Sequence, residues 1–282
     1  MLWKGRRQSA NIEDRRAGRM PGRIAGGGLG TLVILLLVWL LGGNPLEVLQ
    51  TGESFDSSVP QVTTGQSSAN DAEREFVSVV LADTEEVWGK LFREQGMSYR
   101  APKLVLFNSM VQSACGFSQA ATGPFYCPGD EKVYIDLDFL SELQKRFKAE
   151  GDFASAYIIA HEVGHHVQKQ LGITEKVMAM RDRVSEGDFN RYMVRLELQA
   201  DFFAGVWAHY AKRMNLLEPG DLQEAVNAAG AVGDDRIQNQ SQGYAVPDSF
   251  THGTSEQRMR WFYKGYTTGD ITAGDTFSAK AL

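Results

Sequence analysis

The chain has 282 residues, 43% hydrophobic and 23% charged, a globular balance that excludes collagen-like and wholly disordered classes and leaves enough chain for one sizeable core. Two cysteines exclude a disulfide-dense scaffold, and they lack the CxxC pairing of a structural zinc knuckle. A net charge of −6 argues against nucleic acid as a partner, since a phosphate-binding surface needs clustered Lys and Arg.

The charge is uneven along the chain. Residues 1–23 hold seven basic against two acidic side chains, a net of +5, while the remainder holds 22 against 33, a net of −11. After this basic head, residues 24–43 carry no charge and include the apolar run Leu32–Leu41. Twenty helical residues span about the 30 Å of a bilayer core, and no Lys or Arg follows until Arg74. The positive-inside rule therefore predicts one transmembrane signal anchor in a bacterial cytoplasmic (inner) membrane, with residues 1–23 in the cytoplasm and the C-terminal body in the periplasm or outside. The segment Leu41-Gly42-Gly43-Asn44 lacks an A-x-A cleavage site. Gly26 and Gly30 have the GxxxG spacing through which two anchors can pack, a weak pointer to a homo-oligomer.

Residues 44–70, rich from Thr51 onward in Ser, Thr, Gly and Gln, read as a flexible linker. From Asp71 a stripe of Phe76, Val80, Val87 and Leu91, with Trp88 and Phe92 beside it, predicts a helix ended by Gly96. It opens a folded domain expected over 71–275, with 276–282 as a tail. Two β-rich runs, Lys103–Phe107 and Lys132–Asp136, are expected to form a small sheet, the second offering its edge to an extended peptide. Cys115 and Cys127 lie in the loop between them, and an exported domain would bridge them. From Leu137 the pattern is helical, with breaks near Gly151, Gly172, Gly187, Pro219, Gly233 and Pro247. The expected fold class is α+β, mostly helical with a small β-sheet, preceded by one transmembrane helix.

The chemistry concentrates in His161-Glu162-Val163-Gly164-His165. Four residues advance a helix by about 400°, so His161 and His165 share one face a turn apart and can grip one ion. Glu162 is offset by about 100° and can reach a water on that ion as a general base. Zinc (Zn2+) suits this donor set, and peptide hydrolysis is the reaction implied. A catalytic zinc takes a third protein ligand, for which His166, His209, His252 and the carboxylates of a second helix compete. His166 points off the shared face. Glu197 and Asp201, four residues apart in the otherwise apolar stretch Arg195–Trp207, need a charge partner; Glu197 on the zinc and Asp201 on a ligand histidine's second ring nitrogen would satisfy both.

HExxH followed by ExxxD resembles the gluzincin peptidases, whose third ligand is a Glu on a second helix. The whole chain is more closely similar to the bacterial neutral zinc metallopeptidase family, through Trp3–Arg16, Gly123–Pro128, His161–Gln168, Glu197–Asp201 and Thr251–Ser255. This resemblance implies a zincin-like domain, one zinc on His161, His165 and Glu197, Glu162 as base and Asp201 behind a ligand. It also implies that His252, or Arg258 or Arg260, stabilises the oxyanion. The expected protein is a membrane-anchored peptidase acting on polypeptides. The competing reading is a catalytically silent zinc-binding adaptor at the membrane surface, against which Glu162 argues, because a structural site needs no base.

Overall fold

The computed structural model describes residues 1–16, 67–119, 123–137, 139–140 and 151–282. The anchor expected over 24–43, its Gly26 and Gly30, and most of the linker lie outside these residues. Among the described residues no helix is long and apolar enough to cross a membrane.

Strand β1 (Ile12–Asp14) leads into helix α1 (Ser67–Glu94), strands β2 (Lys103–Phe107) to β6 (Lys132–Asp136), and then a run of helices. Helix α1 starts four residues before Asp71 and buries the expected stripe, with Val80 and Trp88 at most 1% exposed. The two β-rich runs pair in parallel, Lys103 opposite Lys132 and Phe107 opposite Asp136. They form the middle of a four-stranded sheet, β1-β2-β6-β5, with β5 (Phe125–Cys127) antiparallel to β6. Strand β6 is thus paired on both sides and cannot offer an edge to a peptide. The terminal strand on that side is β5. A separate hairpin joins β3 (Met110–Ser113) to β4 (Gly116–Gln119), and a disulfide joins Cys115 to Cys127.

The basic head corrects the expected domain boundaries. Residues 1–16 and 68–282 form one compact unit, in which β1 pairs in parallel with β2, Ile12 opposite Leu104. Two of the head's charges pair with the body: Arg6 Nη2 donates to Asp83 Oδ1 at 2.7 Å, and Glu13 Oε1 accepts from Lys132 Nζ at 2.8 Å. The Trp3 indole donates to Asp152 at 2.8 Å and meets the Phe76 ring edge-on. Residues 1–16 are therefore part of the same compact unit as the domain expected from residue 71. Counting charge along the chain cannot reveal this, because Arg6 and Glu13 meet partners 77 and 119 positions away.

Helices α2 (Phe153–Gln170), α3 (Ile173–Met178), α4 (Glu186–Arg213), α5 (Asp221–Ala231), α6 (Asp234–Gln242) and α7 (Ser255–Thr268) complete the fold. The expected breaks fall between them except Gly187, which sits inside the first turn of α4 after Ser185 has capped it. Helix α2 is buried along nearly its whole length, and α4 packs on both α2 and α7. The fold is α+β and mostly helical, as expected.

Candidate metal centre and cleft

The centre lies where α2 crosses α4. The backbones approach so closely that a Cβ at Gly164 would lie 2.9 Å from the Ala200 carbonyl oxygen, so the small residue inside the HExxH motif permits the crossing. The crossing sets the α2 histidines against the α4 carboxylates. His161 and His165, a turn apart, have ring centroids separated by 4.8 Å. Glu197 reaches both, with Oε2 3.2 Å from His161 Nε2 and Oε1 3.4 Å from His165 Nε2. One ligand atom from each of the three lies within 4.8 Å of the others.

Each imidazole is oriented from behind. His161 Nδ1–H donates to Asp201 Oδ1 at 2.8 Å, and His165 Nδ1–H donates to Gln168 Oε1 at 2.9 Å. Both rings therefore turn Nε2 towards Glu197. Gln168 is itself fixed by donating to the Leu196 carbonyl at 2.7 Å. Two imidazole nitrogens and one carboxylate, with the second ring nitrogens tied down, fit a catalytic zinc and leave a position for water. Among the described residues the other acid cluster, Asp152, Asp221 and Glu224, offers only oxygens. It is already matched: Asp152 and Asp221 to the Met1 amino group, Glu224 to the Phe153 amide.

Asp201 is fully buried and accepts from more than His161. Arg258 grips it with both arms, Nε to Oδ2 at 2.8 Å and Nη2 to Oδ1 at 2.9 Å, and the Tyr157 hydroxyl donates to it as well. Arg258 arrives because α7 lies directly on α4, where a Cβ on Gly205 or Gly265 would strike the other helix's backbone 2.0 Å away. The guanidinium is thus held by Asp201, and it also lines the cleft. Arg260 is not at the centre; it binds Glu256 and the Leu282 carbonyl at the surface.

These contacts govern protonation. Burial opposes the charged form of His161, but Asp201 and the bond to Glu197 outweigh it and push its pKa up to about 10. Burial likewise opposes the Glu197 carboxylate, yet the histidines hold it well below its ordinary value. Asp201 stays low against its burial because of Arg258 and His161. The pocket is built to surround positive charge between the two Nε2 atoms.

The centre opens into a cleft of about 510 Å³ whose wall includes Glu162, His252, Phe125, Tyr126, Met193 and Ile237. A larger cavity of about 830 Å³ beside Met1 and Trp3 touches none of the candidate ligands, so volume does not mark the site. His252, about half exposed, stands ahead of α7 and brings its Nδ1 to 3.1 Å from Asp234 Oδ1. Asp234 also accepts the backbone amides of Thr251, His252 and Gly253. Directly after them Thr254 and Gln257 form a capping box that starts α7. Of the other third-ligand candidates, His209 binds the Tyr266 carbonyl on the far part of α4, and His166 faces away from the Nε2 atoms. The sequence reading missed Gln168, Tyr157, Asp234 and the bond between Arg258 and Asp201. Two signals were available: Gln168 sits three residues after His165, and Thr254-x-x-Gln257 is a capping-box spacing.

With this geometry in place, comparison with known proteins gives the class. The family described as "putative neutral zinc metallopeptidase" matches residues 1–277, and the chain belongs to it. The match includes the head, consistent with its place in the sheet. Among relatives, the uncharacterized protein YpfJ of Escherichia coli K12 is 48% identical over 285 residues, covering 98% of this chain and 99% of its own. The uncharacterized protein Rv2575 of Mycobacterium tuberculosis H37Rv is 38% identical over 256 residues, covering 86% of each. No solved structure matches the chain.

Proposed function

We propose that this protein is a zinc endopeptidase in which His161, His165 and Glu197 hold the ion and Glu162 is the general base. The observation that carries the reading is the convergence of three ligand groups on the wall of an open cleft, with Glu162 lining the same wall. A structural zinc is closed off by four ligands and needs neither cleft nor base. When bound, the ion polarises a carbonyl and lowers the pKa of a water towards about 7.

The chain's own groups do the rest. The Glu162 carboxylate accepts the proton of the attacking water and returns it to the leaving nitrogen. Asp201 and Gln168 hold the ligand rings with Nε2 forward, so Nε2 is the nitrogen an ion would meet. His252 is the oxyanion donor: Asp234 fixes its Nδ1 side, which leaves Nε2–H to point at the developing charge. The substrate lies extended along the outer edge of β5, whose Phe125 and Tyr126 border the cleft and whose other edge is taken by β6. The test is zinc content and peptide cleavage by the full-length chain, wild type beside Glu162→Gln. Metal near one per chain in both proteins with cleavage only in wild type supports the reading. Equal metal with no cleavage by either protein returns the zinc to a structural or adaptor role.

A further inference from the structure

His166, the second histidine of the pair after Gly164, is 1% exposed and takes no part in the metal set. Its Nε2 lies 2.6 Å from the Arg100 carbonyl oxygen, which can only accept and so takes the proton of Nε2, and 2.8 Å from the Gln170 amide nitrogen, which donates to the same carbonyl. Nδ1 is then an acceptor, and the Tyr126 hydroxyl donates to it at 3.0 Å. The two rings also meet edge-on, with centroids 5.5 Å apart. One turn of α2 thus carries a ligand in His165 and, next to it, a clamp on the strand that rims the cleft. Strand β5 is only three residues long and pairs on one side; besides His166 it is tied by the disulfide at Cys127 and by the Phe125 ring stacked on Tyr134. A strand this short has little register of its own, so its position relative to the metal is set by what grips its side chains.

We propose that His166 is a positioning residue: through Tyr126 it fixes the β5 rim at the height above the metal that an extended peptide needs. The inference rests on the peptidase reading for its kinetic consequence but not for its structural one. Tyr126→Phe removes one hydroxyl and keeps the ring; His166→Phe removes both ring nitrogens; His166→Gln restores an acceptor and a donor. In full-length protein, zinc should remain near one per chain in all three. Amide hydrogen exchange across 125–127 should speed up about ten-fold in Tyr126→Phe and His166→Phe, the size of one net hydrogen bond, and recover in His166→Gln. KM for a peptide long enough to lie along β5 should rise by a similar factor with kcat nearly unchanged, and the double variant should be no worse than either single one. Unchanged exchange at 125–127 in Tyr126→Phe overturns the proposal, as does a loss confined to kcat or a loss of zinc from His166→Phe. Because exchange is read without turnover, failure of the peptidase reading and failure of the clamp give different results.

A second inference comes from separate observations. Main-chain hydrogen bonds tie residues 11–15 to β2, the pair Arg6–Asp83 is largely buried, and the disulfide-bearing β5 belongs to the same sheet as β1. Segments that share a ladder lie about 5 Å apart, against the 30 Å of a bilayer core. We infer that the head and the metal domain occupy one side of any membrane the chain meets, so the apolar run 24–43 does not divide them by a single crossing. Single cysteines at exposed Gln8 and exposed Gln223, each challenged with a membrane-impermeant maleimide in spheroplasts and after lysis, test this in the full chain. Both positions labelled before lysis, or both only after it, is expected. One labelled and the other protected overturns it.

Discussion

The metal centre and the N-terminal head solve the same problem in ways that leave different marks. Each joins segments far apart in the chain through charged groups: His161 to Asp201 and Arg258 at one place, Arg6 to Asp83 and Glu13 to Lys132 at the other. At the centre each partner carries its own local signature, two residues four apart on a helix, so the pairing could be proposed before any fold was known. In the head, the charges sit on a three-residue strand and its approach, with no period to betray them. The lesson is that a run of basic residues is not evidence of a free basic segment until its partners have been sought over the whole chain.

The largest effects should come from the centre. Glu162→Gln keeps the shape of the side chain and should leave zinc near one per chain while lowering kcat by roughly 10² to 10⁴. Glu197→Ala and His161→Ala should instead lose the metal, measured by elemental analysis after dialysis. Retention of full zinc by Glu197→Ala would move the third ligand elsewhere. Next in size is the hub behind the ligand. Arg258→Met leaves the buried Asp201 carboxylate without its cation, and breaking a buried pair costs about 3 to 5 kcal/mol, to be read as a lower urea midpoint. A change near zero would mean that Tyr157 and His161 suffice for Asp201.

The head should respond more gently. Arg6→Ala leaves the 3%-exposed Asp83 without its principal partner, and an unsatisfied buried acceptor costs about 1 to 3 kcal/mol. Burial already raises the Asp83 pKa against the pull of Arg6, so the variant should protonate Asp83 more readily still. An unchanged thermal midpoint would return the head to the separate segment that its charge pattern suggests.

What the sequence revealed and what it concealed follow from range. The HExxH and ExxxD spacings, the apolar stripe of α1 and the two central strands are all patterns within one element, and each is present. The parallel pairing of β1, the role of β5 as the terminal strand and the bond of Arg258 to Asp201 are decided between elements. Strand β6 shows the limit most plainly. Its composition suits an edge or a centre equally, and only the three residues of β5, too short to stand out between Pro124 and Pro128, make it a centre.

The smallest expected effect concerns Asp234, which sequence gave no reason to examine. The bond to Asp234 comes first in raising the pKa of His252 above its ordinary value, burial works against it, and the Glu197 charge adds to the rise. A raised pKa means that the protonated ring persists to higher pH, so oxyanion assistance by a cationic His252 is complete below the ordinary histidine pKa and lost as pH rises through the raised one. Asp234→Asn removes the anion; its one oxygen, placed where Oδ2 stands, still accepts the loop amides, while an NH2 group faces Nδ1. It should move the alkaline limb of kcat/KM to lower pH, with the value on the acid side of that limb nearly unchanged. His252→Gln should lower the plateau and remove the part of the limb that depends on this residue. If Asp234→Asn leaves the limb where it is while His252→Gln lowers the plateau, His252 acts as a neutral donor and Asp234 serves only to shape the loop before α7.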